Sequence, residues 1–449
     1  MAFRTSHAWT LCLFSMFCSS AQCVQIEYVA GIGVEHNDNI NLSETAAVGD
    51  TILKPTLAFT LNQSGSEIQA AANGIFEYRD FLQGHFGDDF LGQLNGRMNW
   101  SAIPGRLNFG IEDYLGVQPI NQLAPDAPGN QQQTNVFALG PTLNFRLGPT
   151  VRGQAELRYT NSYAEETDQF NSDRVSGALR ALKDLSAAST LSANLIDERI
   201  RFRDSDIVPN YSRYSAFGRY TRNGSRFDLT TDFGYSWINF SGNALVAQDR
   251  NDALARAALD WHLSDRSTLT IDVAHQLSDA ASRLLTGSTI GTETGNPIPA
   301  QITTGSATTT SAPYLENRVD FGYAYRGPRA SFTLAPYFRK LDYGAASDSA
   351  DLADPSGQSI NQTARGTSIT ASWLLRRLLG VGVIANGENL RYDGLSREDK
   401  TWTVQAFMRE QLTPHWSWRA DLTRYERNSN AAGQSANQNI VSVQITYAR

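Results

Sequence analysis

Segments of about ten residues in which apolar and polar side chains alternate recur along this chain, and a period of two belongs to β-strands with two unlike faces. Leu53, Pro55, Leu57, Phe59 and Leu61 share one face of such a segment, while Lys54, Thr56, Thr60 and Asn62 share the other. Val151, Gly153, Ala155, Leu157 and Tyr159 alternate with Arg152, Gln154, Glu156, Arg158 and Thr160. Phe227, Leu229, Phe233, Tyr235 and Trp237 alternate with Arg226, Asp228, Thr230, Asp232 and Ser236, and Val319, Phe321, Tyr323 and Tyr325 with Arg318, Asp320, Gly322 and Arg326. The pattern predicts an all-β protein.

Alternation admits two architectures, a water-facing sandwich and a membrane barrel. A mean hydropathy of -0.35 and a net charge of -7 suit either, because a barrel wall needs apolar residues only at every second position. No apolar run reaches the roughly 20 residues of a spanning helix, since the best, 373–384, is broken by Arg376 and Arg377.

Three features favour the barrel. Tight turns at 62–65, 147–149, 222–225 and 326–329 take turns with longer polar stretches at 37–50, 118–134, 279–312 and 344–362, as in barrels with short periplasmic turns and long outer loops. Aromatic residues gather near strand ends, as at Tyr78, Phe81, Trp100, Tyr163, Trp237, Phe240, Trp261, Tyr343, Trp416 and Trp418, where membrane interfaces would hold them as girdles. The last alternating segment runs from Val441 to Tyr447, almost at the terminus, as in the closing strand of a bacterial barrel.

The expected fold is a transmembrane, antiparallel, up-and-down β-barrel of about 20 strands, with 18 as the alternative. The phase slips at 196–202, as expected at a bulge, and the pattern weakens at 374–390. The chain opens with Arg4, an apolar run from Ala8 to Cys18 and small residues up to Ala21, the order of a secretory signal peptide. Residues 1–21 are read as that signal, with cleavage after Cys23 as the alternative, and 22–449 as one outer-membrane barrel. Cys12, Cys18 and Cys23 lie in or beside the signal, which leaves no disulfide framework or Cys-ligated metal site.

At 31–40 the first strand, Gly-Ile-Gly-Val-Glu-His, runs into the acidic-amide motif Asn-Asp-Asn-Ile, and Leu53-Lys-Pro55 starts the second. This resembles the start of the β-barrel porin 2 family and its relatives, outer-membrane proteins associated with exopolysaccharide and exosortase loci. The resemblance implies a conduit or accessory in exopolysaccharide export, and it carries over no catalytic residue.

If the apolar face meets lipid, the other lines a lumen. Arg97, Arg106, Arg146, Arg152, Arg158, Arg180, Arg219, Arg226, Arg256, Arg318 and Arg339 are the candidate basic lining. Glu67, Glu77, Glu112, Glu156, Asp228, Asp232, Asp260, Asp272 and Asp320 are the acidic counterpart. Charged rings select what a pore admits, and the same residues paired across strands would simply brace the wall. Arginine displaces lysine almost everywhere, leaving Lys54, Lys183, Lys340 and Lys400. Guanidinium forks suit acidic sugars and lipopolysaccharide, although GC-rich codon usage gives the same bias.

The stretch 279–312 is read as a mobile surface loop, with folding into the lumen as the alternative. The Asp-rich piece 347–351 lacks the regular spacing of a calcium loop. His85 with Asp88 and Asp89 is the only compact outer cluster that an enzyme could use, and a loop histidine beside acids is ordinarily just solvated. No catalytic or phosphate-loop motif appears, so no enzyme, cofactor or metal is expected. The expected partners are outer-membrane lipid and lipopolysaccharide, the barrel-assembly machinery, a polysaccharide and periplasmic export proteins, and no nucleic acid. A general diffusion porin and a plugged structural or adhesive barrel are the alternatives to an export conduit.

Overall fold

The computed structural model describes residues 24–204, 208–241, 249–287, 309–344 and 360–449. The signal segment and the Asp-rich piece 347–351 lie outside them. The first five strands are β1 (Gln25–Asn37), β2 (Asp50–Ser64), β3 (Ile68–Phe81), β4 (Asp89–Ile103) and β5 (Leu107–Pro119). Then come β6 (Gln131–Arg146), β7 (Val151–Ala164), β8 (Ser172–Ser186), β9 (Ser189–Phe202) and β10 (Asn210–Asn223). The third group is β11 (Phe227–Ser241), β12 (Arg250–Ser264), β13 (Ser267–Ser278), β14 (Tyr314–Arg326) and β15 (Ala330–Asp342). The last is β16 (Gln362–Leu374), β17 (Leu379–Tyr392), β18 (Arg397–Gln411), β19 (Trp416–Ser429) and β20 (Ala436–Ala448). One short helix, α1 (Ala280–Gly287), follows β13.

Each strand pairs antiparallel with its chain neighbours, and β20 pairs with β1 from Val29 opposite Ala448 to Asn37 opposite Ile440. The 20-stranded sheet is therefore closed, and no edge is left with unpaired backbone groups. Even the shortest strand, β13 with 12 residues, exceeds the roughly 9–11 that a tilted strand needs to cross a bilayer.

Register carries the alternation around the ring. Leu57 faces Ala30 of β1 and Phe76 of β3, and Phe233 faces Gly218 of β10 and Ala255 of β12. The apolar set lies outside. Phe233 is 65% exposed, Leu422 61% and Leu195 59%, whereas Asp232, Ser236 and Glu77 on the other face are buried. A water-soluble sandwich would bury the apolar face, so this inversion selects a wall built for lipid. Among the described residues no helix is long and apolar enough to cross a membrane.

The turns of two to four residues that follow the even-numbered strands lie at one end of the barrel, together with the start of β1 and the end of β20. The connections that follow the odd-numbered strands, longer except for the four-residue β17–β18 turn, lie at the other. By the rule for such barrels the long-loop end is the outer one. Trp100, Trp261, Trp373 and Trp416 stand exposed near the tight-turn end as an interfacial belt. Three aromatics expected in a girdle turn inward instead. Phe81 packs with Ile40 and Ile52, Phe240 with Tyr211 and Ile238, and Tyr343 with Tyr314 and Leu341.

The slip expected at 196–202 does not occur. β9 keeps one register from Leu191 to Ile200 against β10, and to Phe202 against β8. What changes is the chemistry of its outward face, which passes from Leu191 and Leu195 to Asp197, Arg199 and Arg201 as the strand leaves the apolar belt. Ile200 and Phe202 meanwhile pack inward with Tyr211, Ile238 and Leu277.

Candidate functional site: the outer mouth of the lumen

Seventeen of the residues proposed as lining stand at strand positions that the register turns inward: Arg97, Arg146, Arg152, Arg158, Arg180, Arg219, Arg256, Arg318, Arg339, Glu77, Glu112, Glu156, Asp228, Asp232, Asp260, Asp272 and Asp320. The other three lie beyond the strands. Glu67, Arg106 and Arg226 are exposed in tight turns, because alternation carried past a strand end assigns a face to residues that have left the wall.

Many of the inward charges meet across neighbouring strands. Asp232 on β11 pairs with Arg219 of β10 and Arg256 of β12, each at 2.7 Å. Arg180 pairs with Glu156 at 2.6 Å, Arg158 pairs with Glu112, and Glu77 takes Arg79 at 2.7 Å and Lys54 at 3.6 Å. Asp272 and Asp320 stand directly opposite each other, a repulsive arrangement that Arg318 relieves by pairing with both. These pairs line the wall and brace it at the same time.

The outer mouth departs from the expected surface loop. Immediately after β13 the chain turns inward, and Ala280, Ala281 and Leu284 of α1 pack with Val136 of β6, Ala164 of β7 and Phe170 of the β7–β8 connection. Those partners lie across the lumen, with β8 to β12 between them and β13 in the ring. Asp279 caps the helix by accepting from the Ser282 amide at 3.0 Å and the Ser282 hydroxyl at 2.8 Å. Its carboxylate also pairs with Arg174 of β8 at 2.6 Å and Arg213 of β10 at 3.1 Å. Burial pushes this carboxyl up, but the two guanidinium groups and the Ser282 bonds outweigh it and hold Asp279 well below the usual carboxylate range. The returning limb also lies inside, where Thr309 is buried and accepts from Gln132 of β6 at 3.1 Å.

A second loop crosses from the other side. In the β5–β6 connection the Gln122 carbonyl accepts from the Tyr392 hydroxyl at 2.9 Å, and the Leu123 carbonyl accepts from Arg397 at 2.7 Å. Tyr392 ends β17 and Arg397 starts β18, so this loop spans the mouth to the far wall. Arg397 is in turn held by Asp399 at 2.9 Å, which Arg427 of β19 also meets at 2.7 Å. Between this loop and the β15–β19 wall lies a cavity of about 190 Å³, lined by apolar side chains such as Leu341 and Leu390 and by charged ones such as Arg339 and Glu388.

Arg174, Arg213, Asp279, Arg397 and Asp399, which hold the two loops, were not singled out in the sequence. Arg174 and Arg213 follow the same alternation as Arg180 and Arg219, and Asp279 before Ser282, Leu284 and Leu285 is a helix-start pattern. Those signals were present. The histidine cluster comes apart, since His85 faces Asp50 at 3.2 Å while Asp88 accepts from Tyr78 at 2.9 Å. Among the described residues no group of three or more His, Cys, Asp or Glu is placed to hold a metal ion.

No protein-family model and no curated protein matches the sequence, so the likeness to the β-barrel porin 2 family stays a resemblance of the first strands. Among solved structures the chain is similar to the FrpB iron transporter of Neisseria meningitidis, at 7% identity and a TM-score of 0.45, covering 94% of this chain and 82% of that one. It is similar to the ferric-catecholate import receptor Fiu of E. coli at 10% identity and a TM-score of 0.43, over 95% and 82% of the two chains. OprD of Pseudomonas aeruginosa matches at 12% identity and a TM-score of 0.36, over 95% of each.

Proposed function

We propose that this protein is a non-catalytic outer-membrane channel for polar solutes whose bore is set at its outer mouth by two loops folded inward. The observation that carries this reading is the buried contact of Asp279 with Arg174 and Arg213, which ties α1 across the lumen. A loop resting on the surface would have no reason to bury Asp279 and Arg174 and half-bury Arg213, since burial is costly unless each charge finds a partner. The polar, mixed-charge interior supports passage of hydrated solutes, and the apolar exterior supports placement in a membrane. A general diffusion porin fits less well, because two anchored loops narrow the entrance on the outer side.

A role in exopolysaccharide export, as conduit or accessory, is the finer form of the proposal and rests on the resemblance of the first strands. A polymer would need both loops displaced, so this form adds a periplasmic partner that moves them. Lipopolysaccharide around the outer rim and the barrel-assembly machinery complete the proposed partners.

Single-channel recording of the refolded protein tests the reading. A small, stable current in the wild type that grows when Asp279 is replaced by Asn supports it. A folded barrel that carries no current, with or without that substitution, points instead to a plugged structural barrel.

A further inference from the structure

We infer that the cavity under the β5–β6 loop is a binding subsite for a small hydroxylated carboxylate, with Arg339 as the residue that takes the carboxylate. The argument begins with an imbalance. The arginines around Arg339 are paired: Arg318 with Asp272 and Asp320, Arg283 with Glu316, and Arg397 and Arg427 with Asp399. Arg339 has no ion pair among the described residues, and its Nε is buried without a hydrogen-bond partner. Its guanidinium lies 5.7 Å from the centroid of the Tyr337 ring.

Arg339 lines the cavity, and Arg318 stands directly opposite it on β14. A guanidinium withdrawn from water and left unpaired is costly, and the empty volume in front of it is the place where a partner fits. A carboxylate there would accept two parallel N–H bonds, a geometry that a neutral solute cannot supply.

The rest of the lining narrows the class. Tyr392 and Tyr425 present aromatic walls to the body of a ring-shaped solute. Glu388 and Asp126 are acids in the same lining. They would repel a doubly charged phosphate, but they can accept from hydroxyl groups. Glu388 is held in place by the hydroxyl of Tyr337. One carboxylate with several hydroxyls, as in a sugar acid, satisfies both signs. The inference rests on the channel reading only in requiring that solutes reach the outer mouth.

Calorimetric titration of the folded, full-length barrel in detergent with sodium glucuronate, glucose and inorganic phosphate tests it. Glucuronate is expected to bind well ahead of the other two, and Arg339→Gln to weaken it about tenfold or more, the loss of a charge-assisted bond. Glucose or phosphate binding as well as glucuronate, or no glucuronate binding, would overturn the inference. So would a folded Arg339→Gln barrel with unchanged affinity. If that variant does not fold, the wild-type preference decides the matter alone. The titration needs no ion flow, so a barrel that binds glucuronate but never conducts would overturn the channel reading and leave the subsite standing.

Discussion

Asp279 and Arg174 meet at 2.6 Å although β9 to β12 stand between their strands in the ring, and their side chains are 2% and 5% exposed. Arg213 closes the group at 3.1 Å. Replacing Asp279 by Asn leaves Arg174 without its carboxylate, while Arg213 keeps Glu198 at 2.5 Å, and breaking a buried pair from one side costs about 3–5 kcal/mol. That cost falls on the seating of α1, because the wall is held by its own strand ladders. Asp279→Asn should therefore raise unitary conductance while the barrel keeps its heat-modifiable migration on gels. Unchanged conductance would show that α1 stays in place without the latch.

The other loop has separate anchors. Arg397→Met removes the donor to the Leu123 carbonyl and leaves Asp399 to Arg427 alone. Conductance should rise, and the double variant with Asp279→Asn should exceed either single change, because the two loops are tied to different walls. A double variant no more conductive than Asp279→Asn would mean that α1 alone sets the bore.

The wall makes its own prediction. Phe233, 65% exposed at the middle of β11, faces lipid, so Phe233→Arg should impair assembly by about 2–4 kcal/mol. Asp228→Asn should be tolerated, because Asn keeps the oxygen that accepts from the Gly224 amide at 3.0 Å. Urea titration of the two variants in lipid vesicles compares them. Equal stability would mean that the outward and inward faces are misassigned. Leu229 shares the outward face but stands near the tight-turn end of β11, where a charge reaches water and costs less.

The period of two made the fold legible, because in a closed barrel each strand obeys the same rule independently of its distant neighbours. It failed where the physics changes. Beyond the apolar belt the outward face needs polarity, so Asp197, Arg199 and Arg201 looked like a slipped phase. At the turns no face exists, so Glu67, Arg106 and Arg226 were assigned one wrongly. The direction of the 279–312 loop could not be read locally. It depends on partners far away in the chain, such as Arg174 on β8, Gln132 on β6 and Val136 beside it, which only the closed ring brings within reach.

Tyr337 reaches across β16 to Glu388, and Gly366 makes that crossing possible. A Cβ at position 366 would lie 2.5 Å from the Tyr337 ring, closer than any real contact. Gly366→Ala should push Tyr337 aside at about 1–3 kcal/mol, the usual cost of overpacking. Glu388 would then lose the hydroxyl that holds it and present a free carboxylate to the cavity. A shift of reversal potential toward cations, reproduced by Tyr337→Phe alone if the lost hydroxyl is its cause, measures how far that carboxylate governs permeation.

The latch also sets a pH response, and its sign can be worked out. Asp279 titrates below the ordinary carboxylate range when the loop is seated, because Arg174 and Arg213 overcome the effect of burial. Its contribution is therefore fully present above the released value, about 3.9, and is lost only as pH falls through the lower, seated value. Lowering the pH from about 7 to about 4.5 should leave α1 latched and the conductance attributable to it unchanged. Opening within that interval would show that a group other than Asp279 releases the loop when it is protonated.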